Sequence, residues 1–411
     1  MAYESLARFF SKNHSDNRYV ALDNEAHRRL TGDSAFRTGI MLEHGELFFT
    51  VPSDLTVLTE RILRIERKVS HLWRDLPTIA QRSYIFGLAM NEIVSTNEME
   101  GVHSTRKQIE DALKSVAAQE PSREYRRFRE FASLYMGLTE QDLKFPQTPK
   151  DIRAIYDKVA AGELEKAVRP DGELFRKGGV DVVSAGQRIL HRGVVPEFAI
   201  QNMLAAMIAM VAGDSIPPLF SALLSHFVFE YVHPFYDGNG RTGRYLLALY
   251  LTRPLSLPTV FSLSHTIADN KRSYYRAFAE LEEPTNRSEA TIPLIRMMKL
   301  LNQAQDYVLD DLETKFAVMH YSESVVSSIE GLSDGARSIL KIIAHIELFT
   351  TFESESIHTI AHYAQLSSIT ARKYTKELEA AGYVKSASRR PLMLSLSDEA
   401  RARIGIPMSS G

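Results

Sequence analysis

Residues 233–244 read HPFYDGNGRTGR, and the fold and chemistry of the chain both turn on this stretch. Ahead of it, Phe220, Leu223, Leu224, Phe227, Val228 and Tyr231 keep a 3.6-residue spacing, the buried face of a helix that ends at Pro234. Behind it, Arg241–Leu251 is a strongly apolar helix expected at the centre of the core. Between the two, Gly238, Asn239 and Gly240 permit tight turning and positive φ. The first N–H groups of the second helix point back into the loop. Successive backbone N–H groups at a helix N-terminus make an anion site suited to phosphate. Arg241 and Arg244, three apart, share a helix face and can grip phosphate oxygens with charge-assisted bonds. Asp237 supplies one hard oxygen ligand beside those phosphates, the usual way of holding Mg²⁺. His233, at the other end of the loop, can take a proton from an incoming hydroxyl. Singly, a His before a proline, an Arg pair or a GNG turn has an ordinary structural reading. Their joint spacing between two helices does not.

The string is similar to the Fic signature, HPFx[DE]GNGRxxR, with no departure at a specified position, and the resemblance runs over residues 78–308. It implies a mostly α fold: a Fic-type helical core with a short β-hairpin flap. It also implies transfer of AMP from ATP to a Ser, Thr or Tyr hydroxyl of a protein target, the chain itself included. By that resemblance His233 is the base, Asp237 the Mg²⁺ ligand and Asn239 an α-phosphate contact. Gly238 and Gly240 offer backbone N–H groups, while Arg241 and Arg244 hold the β- and γ-phosphates. A related branch that phosphorylates its targets carries Lys where this chain has Gly240. Phe175-Arg176 followed by Val180–Val183 resembles the family's flap, which pairs edge-on with an extended target segment. The resemblance sets Val182 and Val183 beside the nucleotide, although Val183 and the lone Pro196 depart from the Gly and Pro-rich run that usually closes the flap. Tyr274-Tyr275 resembles the adenine-side aromatic pair.

Thr96-Asn97-Glu98-Met99-Glu100-Gly101 resembles the family's inhibitory motif, [ST]xxxE[GN]. A glutamate at that helix end, within reach of Arg244, would form an ion pair and deny Arg244 to the γ-phosphate. In this class the same glutamate can orient a water that strips AMP back off, so removal of AMP stays open beside addition.

The rest of the chain frames this core. Residues 1–75 form an N-terminal segment with an irregular first 50 residues, a strand pair near Met41–Val51, and a helix striped by Leu55, Leu58, Ile62, Ile65, Val69 and Leu72. That stripe suits packing against the same chain or a dimer contact, and with the family resemblance it suggests a homodimer. The Fic core is expected over 76–318, including the inhibitory helix 79–101, with helices also at 105–118, 125–138 and 150–161. A Ser-rich linker or fraying helix end follows over 319–333, then a winged helix-turn-helix over 334–404 and a tail over 405–411. In that domain Ser368–Ala381 would be the reading helix, carrying Arg372, Lys373 and Lys376. Ten Lys and Arg against eight Asp and Glu over 334–411 give it a weakly basic balance for DNA.

The whole 411-residue chain has a formal charge of −2, unlike a polybasic nucleic-acid binder. It has no cysteine, which removes disulfides, thiolate nucleophiles and Cys-held zinc. The N-terminus lacks an apolar signal region and no apolar run reaches about 18 residues; a cytoplasmic protein without a membrane partner is expected. Two other functions stand beside AMP transfer. One is a winged-helix DNA-binding regulator whose Fic core senses nucleotide, though a sensor needs no base. The other is transfer of UMP, GMP or phosphocholine, since the loop is indifferent to what lies beyond the phosphates.

Overall fold

A computed structural model describes residues 3–117, 126–161, 169–183, 189–350 and 354–407. It divides into two compact units, Met1–Glu66 with Ala89–Gln305, and Arg67–Leu88 with Asp306–Gly411. The unit limits fall inside helices rather than at the 75/76 and 318/319 junctions read from the sequence.

The first unit opens with α1 (Leu6–Lys12) and α2 (Arg18–Leu30), followed by an antiparallel hairpin of β1 (Ala35–Leu42) and β2 (Gly45–Thr50). This corrects the expectation of an irregular first 50 residues. The two helices are short and polar, so no apolar period announces them. They form because distant groups hold them: Asn286 Oδ1 accepts the Ala7 N–H at 2.8 Å, and Arg29 pairs with Glu289 at 3.0 Å. In α3 (Ser53–Asp75), Leu55, Ile62, Ile65 and Val69 are buried in the chain itself. These four residues of the stripe thus pack within the same chain, while Leu58 and Leu72 stay partly exposed.

Next come α4 (Thr78–Met99), α5 (Arg106–Ala117), α6 (Arg126–Gly137) and α7 (Pro149–Val159), close to their expected limits. Ala118 and Tyr125, expected at helix ends, lie outside the described residues. The flap is β3 (Asp181–Val183) paired antiparallel with β4 (Ile189–Arg192); residues 184–188 between them lie outside the described set. The core centres on α8 (Glu197–Ala212), α9 (Pro218–Val232) and α10 (Asn239–Leu251), with α9 packed against both neighbours. A helix apolar on nearly every face, such as α9, belongs inside; α10 is buried along its whole length although it carries Asn239, Arg241 and Arg244. Then follow α11 (Leu257–Val260), α12 (Leu263–Asp269), α13 (Lys271–Glu282) and α14 (Thr291–Ser328).

α14 continues to Ser328, through most of the stretch read as a linker or fraying helix end over 319–333. Its serines bond back into their own helix: Ser322 Oγ donates to Met319 O at 2.9 Å and Ser327 Oγ to Glu323 O at 2.7 Å. Of the two readings of this stretch, linker or helix end, the helix end holds through Ser328, kept by local side-chain bonds and the burial of Val326.

The second unit ends in α15 (Asp334–Phe349), β5 (Glu355–Ser356), α16 (Ile357–Tyr363), α17 (Ser368–Ala380), β6 (Val384–Arg389), β7 (Leu392–Leu396) and α18 (Asp398–Ile404). The three strands are antiparallel in the order β5-β7-β6. Ser333, Ser356, Ser367 and Ser397 each cap a helix with the side-chain oxygen. Residues 408–411 of the expected tail lie outside the described set. No helix among the described residues is long and apolar enough to cross a membrane.

Candidate active site

Residues 233–244 lie in the first unit, between the C-terminus of α9 and the N-terminus of α10. His233 caps α9 in the left-handed region, φ 49°, while its N–H still bonds to Phe229 O. That conformation costs a non-glycine residue roughly 1–2 kcal/mol, and the surroundings hold it. Arg176 is fully buried, and its guanidinium donates to His233 O at 2.8 Å, Val232 O at 3.2 Å and Gly178 O at 2.6 Å. Val232 O and His233 O lie at the C-terminus of α9, where the helix's own N–H groups do not reach; Val232 O also accepts the Val194 N–H at 3.1 Å, and a cation there suits the helix dipole. Phe235 anchors the loop from below, stacked on Tyr156 with ring centroids 3.6 Å apart.

Arg176→Met takes a donor from each of these carbonyls, leaving among the described residues only Val232 O with another, the Val194 N–H, at a cost of about 3 kcal/mol. Calorimetry is expected to show a melting temperature lower by roughly 3–5 °C. An unshifted transition would show the clamp to be dispensable.

The imidazole of His233 turns Nδ1 toward the main-chain carbonyl of Glu230, at 3.3 Å. A carbonyl accepts, so Nδ1 carries the hydrogen and Nε2 keeps its lone pair. Burial pushes the imidazole down to about 4, against the opposing pull of the Glu230 carbonyl. At neutral pH the ring is therefore uncharged, the form that a base needs.

At the other end of the loop, Gly238 takes φ 81° and opens α10. The Asn239 side chain accepts from Phe235 N–H at 2.9 Å and donates to Phe235 O at 2.8 Å. Its amide thus shapes the loop in addition to any phosphate contact. Asp237 is exposed, with Oδ1 accepting the Gly238 N–H at 2.6 Å. Among the described residues no three His, Asp or Glu gather around a cation. One exposed carboxylate beside an anion cradle fits Mg²⁺, which takes one or two carboxylates and completes its shell with phosphates and water. Arg241 is buried under the loop, its guanidinium close to Gly238.

The cradle at Gly240 holds a carboxylate of the chain's own. α4 ends on Gly101 at φ 68°, where Val102 N–H bonds to Asn97 O and Gly101 N–H to Glu98 O. This closure is a Schellman turn, and it presents Glu100. A Cβ built on Gly240 would stand 2.1 Å from Glu100 Oε1, so the carboxylate rests directly on the first turn of α10. A negative group is favoured at a helix N-terminus. Arg244, also buried, donates Nη2–H to Glu100 Oε1 at 2.7 Å and to Thr96 O at 3.2 Å, and Nε–H to Thr96 Oγ1 at 2.6 Å. Burial works against its charge, and Glu100 more than restores it. Thr96, Glu100, Gly101, Gly240 and Arg244, all read from the sequence, meet here.

Tyr274 is a correction. It is buried, and its hydroxyl lies 2.8 Å from His226 Nε2, so it belongs to the core. Tyr275 is 49% exposed, which narrows the adenine-side expectation to that ring. In the flap, Val182 pairs with His191 and Val183 with Ile189 across the strands. Sequence reasoning missed Glu230, although its place one turn ahead of His233 sets both on one helix face. It also missed what Arg176 holds, which no local pattern reveals.

Residues 146–251 match the Fic/DOC family. Over 89 residues the chain is 30% identical to a probable protein adenylyltransferase of Aquifex aeolicus, 21% of this chain and 26% of that one. Over 72 residues it is 39% identical to the protein adenylyltransferase fic-1 of Caenorhabditis briggsae, 16% of this chain and 14% of that one. The chain thus spans about a quarter or less of the curated relatives that it matches. The crystal structure of a Fic family protein from Desulfovibrio desulfuricans G20 has the same fold over 85% of this chain and 98% of that one, with a TM-score of 0.50 and 19% identity. The mostly helical chain, with its loop between two buried helices, therefore carries a Fic domain akin to those of protein adenylyltransferases.

Proposed function

We propose that the protein is an adenylyltransferase that moves AMP from ATP onto a protein hydroxyl, and that Glu100 holds it back. The observation that carries this reading is the loop itself: an uncharged His233 at one end and an anion cradle with Arg244 at the other. The acceptor oxygen attacks the α-phosphorus as its proton passes to His233 Nε2. The new O–P bond forms as the bond to the β-phosphate bridging oxygen breaks, and pyrophosphate leaves. Backbone N–H groups at Gly238 and Gly240, with Arg241 and Arg244, bind the phosphates. Asp237 would hold Mg²⁺, which supplies charge neutralisation at those phosphates. The target segment adds as a strand along the flap beside Val182 and Val183.

Intact-protein mass spectrometry of Glu100→Gly after incubation with ATP and Mg²⁺ tests the reading. An adduct of one AMP supports it. A phosphoryl adduct overturns it, and an adduct formed from UTP, GTP or CDP-choline in preference to ATP reassigns the transferred group.

The second unit carries a further reading, DNA contact. Ile369, Arg372, Lys373 and Lys376 are exposed on α17, as are Lys385, Arg389 and Arg390 on the β6–β7 hairpin. Phosphate contacts from such a face would show as binding that weakens steeply with salt.

A further inference from the structure

The site holds a second carboxyl group that the steps above leave idle. Glu230 lies one turn before His233 on α9, with Oε2 3.9 Å from His233 Nδ1. Its Oε1 is buried without a hydrogen-bond partner, seated where a Cβ on Gly243 would stand 2.3 Å away. Gly240 and Gly243 are three apart on α10 and share a face. Glu100 rests on the first, Glu230 on the second, and Arg244 pairs with Glu100.

A buried carboxyl oxygen without a partner is costly, and among the described residues the Glu230 side chain has only the long contact of Oε2 with His233 Nδ1. Among the described residues, the groups that face it are Glu100 from α4, Arg244 from α10, His191 from β4, Tyr274 and Tyr275 from α13 and His233 at the end of its own helix. Burial, and then the Glu100 carboxylate, push Glu230 up to about 8, against Arg244 and His191. In the closed site it is therefore largely uncharged at neutral pH, and Nδ1 makes do with a long contact to the Glu230 carbonyl.

We propose, on the reading that this site transfers AMP, that Glu230 is the positioning residue of the base. Once Glu100 withdraws, the Glu230 carboxylate turns to the Nδ1–H of His233, fixes Nε2 toward the acceptor, and balances the imidazolium formed when the acceptor proton arrives. Glu100 then acts twice: it occupies Arg244, and its charge adds to the burial that disfavours a charged Glu230 beside the base.

Two measurements on the full chain test this. The first compares Glu100→Gly with Glu100→Gly/Glu230→Gln, using ATP and Mg²⁺. The added change is expected to lower kcat about tenfold with KM for ATP unchanged. The acid limb of the rate profile is expected to move down by roughly one pH unit, because the ring loses a neighbouring negative charge. An unchanged rate, or a lower rate with an unmoved acid limb, overturns the proposal, since a packing role predicts no shift of the limb. The second needs no change at Glu230: NMR titration of the His233 ring in wild type and in Glu100→Gly. Removing the Glu100 charge alone lowers the midpoint, so a rise reports ionised Glu230, while a fall or no change overturns the proposal. Absence of transfer by Glu100→Gly itself sinks the AMP reading, and this inference with it. Transfer that ignores Glu230 sinks this inference alone.

Discussion

Replacing Glu100 with glycine is expected to raise the rate of self-directed AMP transfer about a hundredfold. The expectation rests on competition for one set of donors. Glu100 Oε1 lies 2.7 Å from Arg244 Nη2, and the same oxygen stands 2.1 Å from where a Cβ would lie on Gly240. A phosphate bound by the first turn of α10 and by Arg244 needs that space. Tethered to α4 by the turn at Gly101, the carboxylate competes at high effective concentration. Breaking a buried ion pair costs about 3–5 kcal/mol when nothing replaces the lost partner. An arriving phosphate does replace it, so the cost falls on the empty variant and favours nucleotide binding in the productive pose. Glu100→Gln should lie between wild type and glycine, because an amide keeps the bond to Arg244 but gives up the charge. Initial rates of label incorporation from α-labelled ATP decide the matter. Equal rates for wild type and glycine would remove Glu100 from control of the site.

The parts of this arrangement that were readable beforehand share one property: their signal is local. The loop declares itself because its spacing fixes a turn, a helix start and two arginines on one face. Helix α4 declares its end through Gly101, and α9 its burial through an apolar period. What stayed hidden depends on residues far apart in sequence. Arg176 meets the carbonyls of Val232 and His233 only in the folded chain. α1 and α2 carry little apolar pattern, and Asn286 Oδ1 accepting the Ala7 N–H at 2.8 Å shows how distant residues hold α1. The serines of 319–333 left a linker and a helix end both open by composition; Ser322, Ser327 and Ser328 serve as helix residues by bonding to their own turns. Tyr274 and Tyr275 are neighbours in sequence, yet the helix turns one into the core and the other outward.

In the Glu100→Gly background, His233→Ala is expected to lower kcat about a thousandfold, within the usual range for a positioned general base. KM for ATP should hardly change, since the imidazole lies at the far end of the loop from Gly240 and Arg244. A loss shared between kcat and KM would instead assign His233 to nucleotide binding. The same substitution carries a signature in stability. The ring of His233 titrates near 4 when folded, against an ordinary value of 6.5. Between those values the unfolded chain takes up a proton that the folded chain refuses. The native state therefore loses stability as pH falls from about 6.5 to about 4, by at most about 3 kcal/mol from this ring. Above that window both states are deprotonated and the ring contributes no slope. His226, pushed down to about 3 by burial, adds a similar acid loss in wild type and variant alike. Denaturant unfolding at pH 7 and pH 4.5 should thus show a smaller acid loss for His233→Ala than for wild type. If the two losses are equal, the ring is not held uncharged by its burial. The base would then need another source for its free lone pair, with the long Nδ1 contact to the Glu230 carbonyl as the remaining candidate.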